Sequence, residues 1–131
     1  MLSRILLVDD EDSVRDSLHA VLARDGYEVL AARSGADGLT IFRQSILPIK
    51  LLVTDYNMPR MSGLELAREC SRLCWELPVL YVSGSCPDEQ LKADLQARRR
   101  GFLAKPFRTD DLLRKARELL IDSTAQLSAS L

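Results

Sequence analysis

Short apolar runs alternate with helical stripes from one end of the chain to the other. Ile5-Leu6-Leu7-Val8 predicts a strand over Arg4–Val8. Val14, Leu18, Val21 and Leu22 then repeat at helical spacing, and Gly26 is placed to stop that helix. A second strand is expected at Glu28–Ala32, after which Ser34 caps a helix carrying Leu39, Phe42 and Ile46, ended by Pro48. Residues 51–54 read as a wholly apolar third strand, with Pro59 and Gly63 punctuating the loop behind it. The next helix carries a stripe of Leu66, Ala67, Cys70, Leu73 and Cys74, and Pro78 precedes a fourth strand at 79–82. Only Leu91 and Leu95 mark the helix expected over 87–97, so its buried stripe is thin. A fifth strand at 102–104 leads to a last helix, capped by Thr109 and striped by Leu112, Leu113, Ala116, Leu119 and Leu120.

Five strand–helix units with right-handed crossovers define the fold class: α/β, a doubly wound (βα)5 three-layer sandwich on a flavodoxin-like parallel sheet. In such sheets ligands sit beyond the carboxyl ends of the strands. Here those ends carry Asp9 and Asp10, then Asp55, then Ser83, then Lys105 followed by Pro106. Asp9 and Asp10 meet Asp55 only if the first and third strands are neighbours, which predicts the strand order 2-1-3-4-5. The domain spans 1–122. Residues 123–131, STAQLSASL, have no period and read as a flexible tail or linker stub.

Composition narrows the function classes. Eighteen basic and nineteen acidic residues leave a net charge of -1, so no global basic field draws nucleic acid. No apolar run approaches the roughly 20 residues of a membrane span. The first apolar run stops against two aspartates, unlike a signal peptide, and the expected compartment is the cytoplasm. Three cysteines without framework spacing argue against a disulfide scaffold. Cys70 and Cys74 fall on the apolar stripe and read as small hydrophobes; Cys86 has no base beside it. His19, the single histidine, falls off the stripe of its helix and reads as exposed.

The charged strand ends carry the chemistry. Two carboxylates about 5 Å apart cost roughly 3 kcal/mol at an effective dielectric of 20, so three of them call for a cation. Oxygen-only ligands select a hard metal, and so few carboxylates suit Mg²⁺ better than Ca²⁺. Lys105 would repel that metal unless an anion arrived between them. A phosphoryl group meets the need: the metal takes one oxygen, Lys105 another, and the Ser83 hydroxyl a third, with Gly84 leaving room for its approach. The nucleophile is then a carboxylate.

With VDDED (8–12), TDYNMPRMSG (54–63), VSGS (82–85) and FLAKPF (102–107) in this order, the chain resembles a bacterial two-component response-regulator receiver domain over residues 2–120. The resemblance implies that Asp55 is the phosphoacceptor, taking its phosphoryl group from a histidine kinase or a histidine phosphotransfer protein. It further implies Mg²⁺ held by Asp10 and Asp55 directly, by Asp9 through water and by the Asn57 backbone carbonyl. Ser83 and Lys105 would hold phosphoryl oxygens, Phe102 matches the aromatic that follows Ser83 in the switch, and the Lys105-Pro106 bond is expected cis. Output would pass through the surface of helix 4, strand 5 and helix 5 as a population shift. Such a module catalyses only its own phosphorylation and autodephosphorylation. Its downstream protein effector is undefined, and it is a monomer or a phosphorylation-dependent dimer, either stand-alone or part of a hybrid histidine kinase.

Two features depart from or qualify this pattern. Arg98-Arg99-Arg100 replaces the Gly-Ala pair usual at the close of the fourth helix, and reads as a solvated helix end. Asn57 and Ser85 occupy the positions that tune phosphoryl lifetime in the family. The alternative function is a Mg²⁺-dependent phosphatase or phosphotransferase acting on small molecules through an aspartyl phosphate. Its haloacid dehalogenase form uses Asp-x-Asp after the first strand and carries a cap domain, whereas this chain has the adjacent Asp9 and Asp10 there and no cap. A flavodoxin-type FMN carrier needs a hydroxyl-rich phosphate loop where this chain has Asp9, Glu11 and Asp12.

Overall fold

In a computed structural model, which describes the backbone of residues 3–130 and the side chains of residues 3–121, five strands form one parallel sheet. They are β1 (Arg4–Val8), β2 (Glu28–Ala32), β3 (Leu51–Asp55), β4 (Val79–Ser83) and β5 (Arg100–Ala104), in the order β2-β1-β3-β4-β5. The helices are α1 (Asp12–Arg24), α2 (Gly35–Gln44), α3 (Gly63–Leu73), α4 (Glu89–Asp94) and α5 (Thr109–Ser130). The tail expected at 123–131 lies outside the residues whose side chains are described.

Strand pleating sorts the core. Ile5 and Leu7 point toward α1 and α5, joining Leu18, Leu22, Leu112 and Ala116, whereas Leu6 and Val8 point toward α2 and α3, joining Leu39, Leu66, Ala67 and Cys70. Both faces are covered, which is why the central strands read as unbroken apolar runs without alternation. Gly26 takes a φ of 99° at the end of α1, as its position suggested. No helix among the described residues is long and apolar enough to cross a membrane.

Several local expectations are corrected. α2 stops at Gln44, before Ile46, which is 97% exposed. The Ser45 hydroxyl donates to the Leu47 carbonyl (2.6 Å), and Leu47 precedes a proline, so the chain turns rather than continuing as helix. The buried stripe of α3 ends at Cys70; Leu73, its last residue, and Cys74, which follows the helix, are exposed. His19 is half-buried on α1 rather than exposed. α4 is six residues long, shorter than the segment 87–97 expected from its pattern.

The arginine run differs most from expectation. It is not a solvated helix end: Arg100 opens β5, pairs with Val79 of β4 and keeps only 10% of its side-chain surface. Its Nε donates to Asp94 (3.1 Å), Nη1 to the Leu77 carbonyl (2.9 Å) and Nη2 to Ser71 (3.2 Å). Arg99 takes a φ of 62°, the left-handed conformation that a glycine would supply at a helix end, and Arg98 is exposed. A polar clamp thus replaces a small-residue contact. Arg100→Ala should therefore cost about 2 kcal/mol in urea unfolding, because it leaves the buried Leu77 carbonyl and the part-buried Asp94 carboxylate short of a donor, while Arg98→Ala stays within about 0.5 kcal/mol.

Candidate functional site

Register delivers the polar residues to one end of the sheet. β1 pairs with β3 through Val8 and Thr54, so Asp9 emerges beside Asp55. β3 pairs with β4 through Asp55 and Val82, and β4 with β5 through Ser83 and Ala104, which brings Ser83 and Lys105 into the same rim. Asp55 and Ser83 are the last residues of their strands, and Asp9 follows the last residue of β1. All three are buried, as sites beyond strand ends require, whereas Asp10 is exposed.

Carboxylate oxygens of Asp9, Asp10 and Asp55 lie within 4.8 Å of one another, a group able to hold a metal ion. Lys105 reaches in from the β5 side, with Nζ 3.4 Å from Asp9 Oδ2 and 3.7 Å from Asp55 Oδ1. The Lys105-Pro106 bond is cis, as expected. Asp9 is fixed further by the Glu11 N–H, which donates to its Oδ1 (2.9 Å), and by Arg15, whose Nη1 donates to its carbonyl (2.9 Å). Arg15 escaped the sequence reading, although it stands one helical turn beyond Asp12, with which it also pairs at 2.6 Å.

The hydroxyl side of the site is a small web. Ser83 Oγ accepts from the Ser85 N–H (3.1 Å) and from Asn57 Nδ2 (3.4 Å), which also donates to Ser85 Oγ (3.0 Å). The Asn57 side chain therefore faces the serines, and its backbone N–H bonds Asp55. Phe102 is half-buried on β5, packed on the cluster that contains Tyr81 and Leu91.

The floor is set by α3. Ser62 and Glu65 form a reciprocal capping box, and the Gly63 N–H donates to the Tyr56 carbonyl (2.9 Å). A β-carbon at Gly63 would collide with the Asp55 carbonyl and meet Tyr56 Cα at 3.0 Å, so glycine is needed for this close approach.

Burial pushes the Asp55 carboxyl up to about 6 from 3.8; Lys105 opposes the rise, the charges of Asp9 and Asp10 add to it, and the Asn57 N–H opposes it. The residues thus fit a divalent cation: oxygen donors, no histidine or thiolate, and a carboxylate whose ionisation needs help. The arrangement can neutralise an anion from two sides while presenting a carboxylate to it.

A parallel sheet with a carboxylate cluster, a hydroxyl and a lysine at its carboxyl end defines a phosphoacceptor domain. The chain belongs to the response regulator receiver domain family, whose model matches residues 5–117. It is 38% identical over 120 residues to response regulator MprA of Mycobacterium bovis, covering 92% of this chain and 51% of that protein. The chain therefore spans about half the length of the curated relatives it matches. Among solved structures, a CheY-like receiver domain protein from Methanospirillum hungatei superposes with a TM-score of 0.87 at 30% identity, covering 96% of this chain and 99% of that one. The receiver domain of the hybrid histidine kinase CckA gives 0.77 at 31% identity, covering 90% and 99%. Receiver domains are the phosphoacceptor modules of two-component systems and interact with histidine kinases; the small-molecule phosphatase reading is not favoured.

The raised Asp55 carboxyl sets a pH dependence. The native state holds this proton more tightly than the unfolded chain, so its contribution is greatest below pH about 4 and is lost as pH rises through about 6. In chelator, the unfolding free energy of wild type relative to Asp55→Asn should fall across that window; parallel curves would show that Asp55 is not held this way.

Proposed function

We propose that Asp55 is the phosphorylated residue, with Asp9, Asp10, Asp55 and the Asn57 backbone carbonyl as the Mg²⁺ site and Ser83 and Lys105 as the phosphoryl-binding groups. The observation that carries this reading is the position of Lys105, within 4 Å of both Asp9 and Asp55 and on the rim of a carboxylate cluster suited to a cation. A metal and an ammonium at one site require a shared anion.

Bound there, Mg²⁺ supplies charge neutralisation for the carboxylates and for one phosphoryl oxygen. An Asp55 oxygen attacks phosphorus, the phosphorus–nitrogen bond of the donor phosphohistidine breaks, and the imidazole leaves with that electron pair. Lys105 moves from its two carboxylate partners to a phosphoryl oxygen, and Ser83 turns its hydroxyl from the Ser85 amide toward another. Burial of Asp55 makes its ionisation depend on these cations, which ties nucleophile activation to metal occupancy. Hydrolysis of the acyl phosphate by water returns the carboxylate; the module turns over no other substrate.

The donor, a histidine kinase or a histidine phosphotransfer protein, must dock at the pocket mouth. An apolar groove of about 580 Å³ lies there, lined by Val14, Leu18, Val21, Lys105, Pro106 and Phe107 among others, and it suits the side of a partner helix. Response to phosphorylation passes from Ser83 to Phe102 and the surface of α4, β5 and α5. The cytoplasm is the compartment in which such a donor operates.

Titration with acetyl phosphate or beryllofluoride in Mg²⁺, followed by thermal stability, tests the assignment. Wild type and Cys70→Ala should respond and Asp55→Ala should not. A response retained in Asp55→Ala would overturn the assignment.

A further inference from the structure

α4 is too short to hold itself as a helix, and Leu91 is its one large buried side chain. Two tyrosines, Tyr56 just after β3 and Tyr81 within β4, tie its ends. At the N-terminal end, the Tyr56 hydroxyl donates to the Asp88 carboxylate, at 2.8 and 2.7 Å from its two oxygens, while the same carboxylate caps the helix by accepting from the Leu91 N–H (2.8 Å). At the C-terminal end, the Tyr81 hydroxyl donates to Asp94 Oδ2 (2.6 Å), which also accepts from Arg100 Nε (3.1 Å). The two rings meet edge to face, with centroids 6.2 Å apart.

Both tyrosines are wired to the site. Tyr56 follows Asp55 directly, and Tyr81 stands two residues before Ser83 on β4. The two ties differ in strength. Tyr81 is fully buried, Asp94 and Arg100 are largely covered, and Arg100 adds further bonds to Leu77 and Ser71, so the C-terminal tie is part of a satisfied, mostly shielded network. Asp88 is exposed, so water can replace Tyr56 as its partner.

We infer that α4 is a hinged reporter, pivoting on the Tyr81–Asp94–Arg100 anchor and releasing the Tyr56–Asp88 tie when Asp55 is phosphorylated. The inference rests on the assignment of Asp55 as phosphoacceptor. When the Ser83 hydroxyl turns to a phosphoryl oxygen, the Ser85 N–H loses its acceptor and Asn57 keeps only its bond to Ser85 Oγ, so the loop between Ser83 and Asp88 must readjust. The strain falls on the weaker of the two ties.

Linkage supplies the test. A tie present only in the unactivated state opposes activation, so removing it must favour binding of an activating ligand. Beryllofluoride affinity, measured in Mg²⁺, should tighten roughly 5-fold in Tyr56→Phe, the effect of one hydrogen bond formed in one state only. Asp88→Asn, which keeps the cap, should move it in the same direction. Tyr81→Phe, whose tie persists in both states, should lower the melting temperature without changing the affinity. Unchanged or weaker affinity in Tyr56→Phe, or equal tightening in Tyr81→Phe, would overturn the hinge. Undiminished binding by Asp55→Ala would instead overturn the phosphoacceptor assignment, and the hinge with it.

Discussion

The structure depends on the crowding of like charge at the carboxyl end of the sheet. Asp9 and Asp55 are buried side by side, Asp10 stands within ligand distance of both, and Lys105 is the cation placed against them. At such separations two like charges repel by a few kcal/mol even with generous screening, and one ammonium cannot neutralise three carboxylates. Burial, with the charges of Asp9 and Asp10 adding to it, pushes the Asp55 carboxyl up to about 6 even with Lys105 opposing the rise. The surplus negative charge prepares the site for a divalent cation, and the ammonium adds the need for an anion.

The surrounding fold keeps that crowding in place. Parallel pairing with both faces covered fixes the register, so the strand ends cannot slip apart without exposing the core. Gly63 lets α3 press against the Asp55 carbonyl, and the Arg15 guanidinium fixes the Asp9 turn from the other side. On the signalling side the molecule has less apolar packing to rely on. α4 is held by Leu91 and by polar ties, and Arg100 fills with hydrogen bonds the corner where a Gly-Ala pair would have packed closely. Polar ties have definite geometry and break singly, which suits an element that must change position.

The sheet and its pocket were legible in the sequence because both rest on local, repeated signals. Apolar runs ending in Asp9, Asp55 and Ser83 mark strand ends directly, and the need for Asp9 and Asp55 to meet orders the strands. Helix ends were less legible: α2 stops at Gln44 because Ser45 finds an acceptor within its own turn, a choice that apolar periodicity at Ile46 does not record. The arginine run misled for a similar reason. Charge alone suggests solvent, and only the fold shows that Asp94, the Leu77 carbonyl and Ser71 surround Arg100. The Tyr56–Asp88 and Tyr81–Asp94 pairs join residues 32 and 13 positions apart, beyond what any local pattern encodes.

The central claim is that surplus negative charge and Lys105 together make Asp55 an acyl-phosphate site. Reductive trapping tests it most directly: the protein is incubated with acetyl phosphate in Mg²⁺, treated with borohydride, and mapped by peptide mass spectrometry. The account predicts homoserine at position 55, at no other aspartate, and none when Mg²⁺ is chelated. Trapping at Asp9 or Asp10, or trapping at Asp55 that is indifferent to chelation, would contradict it.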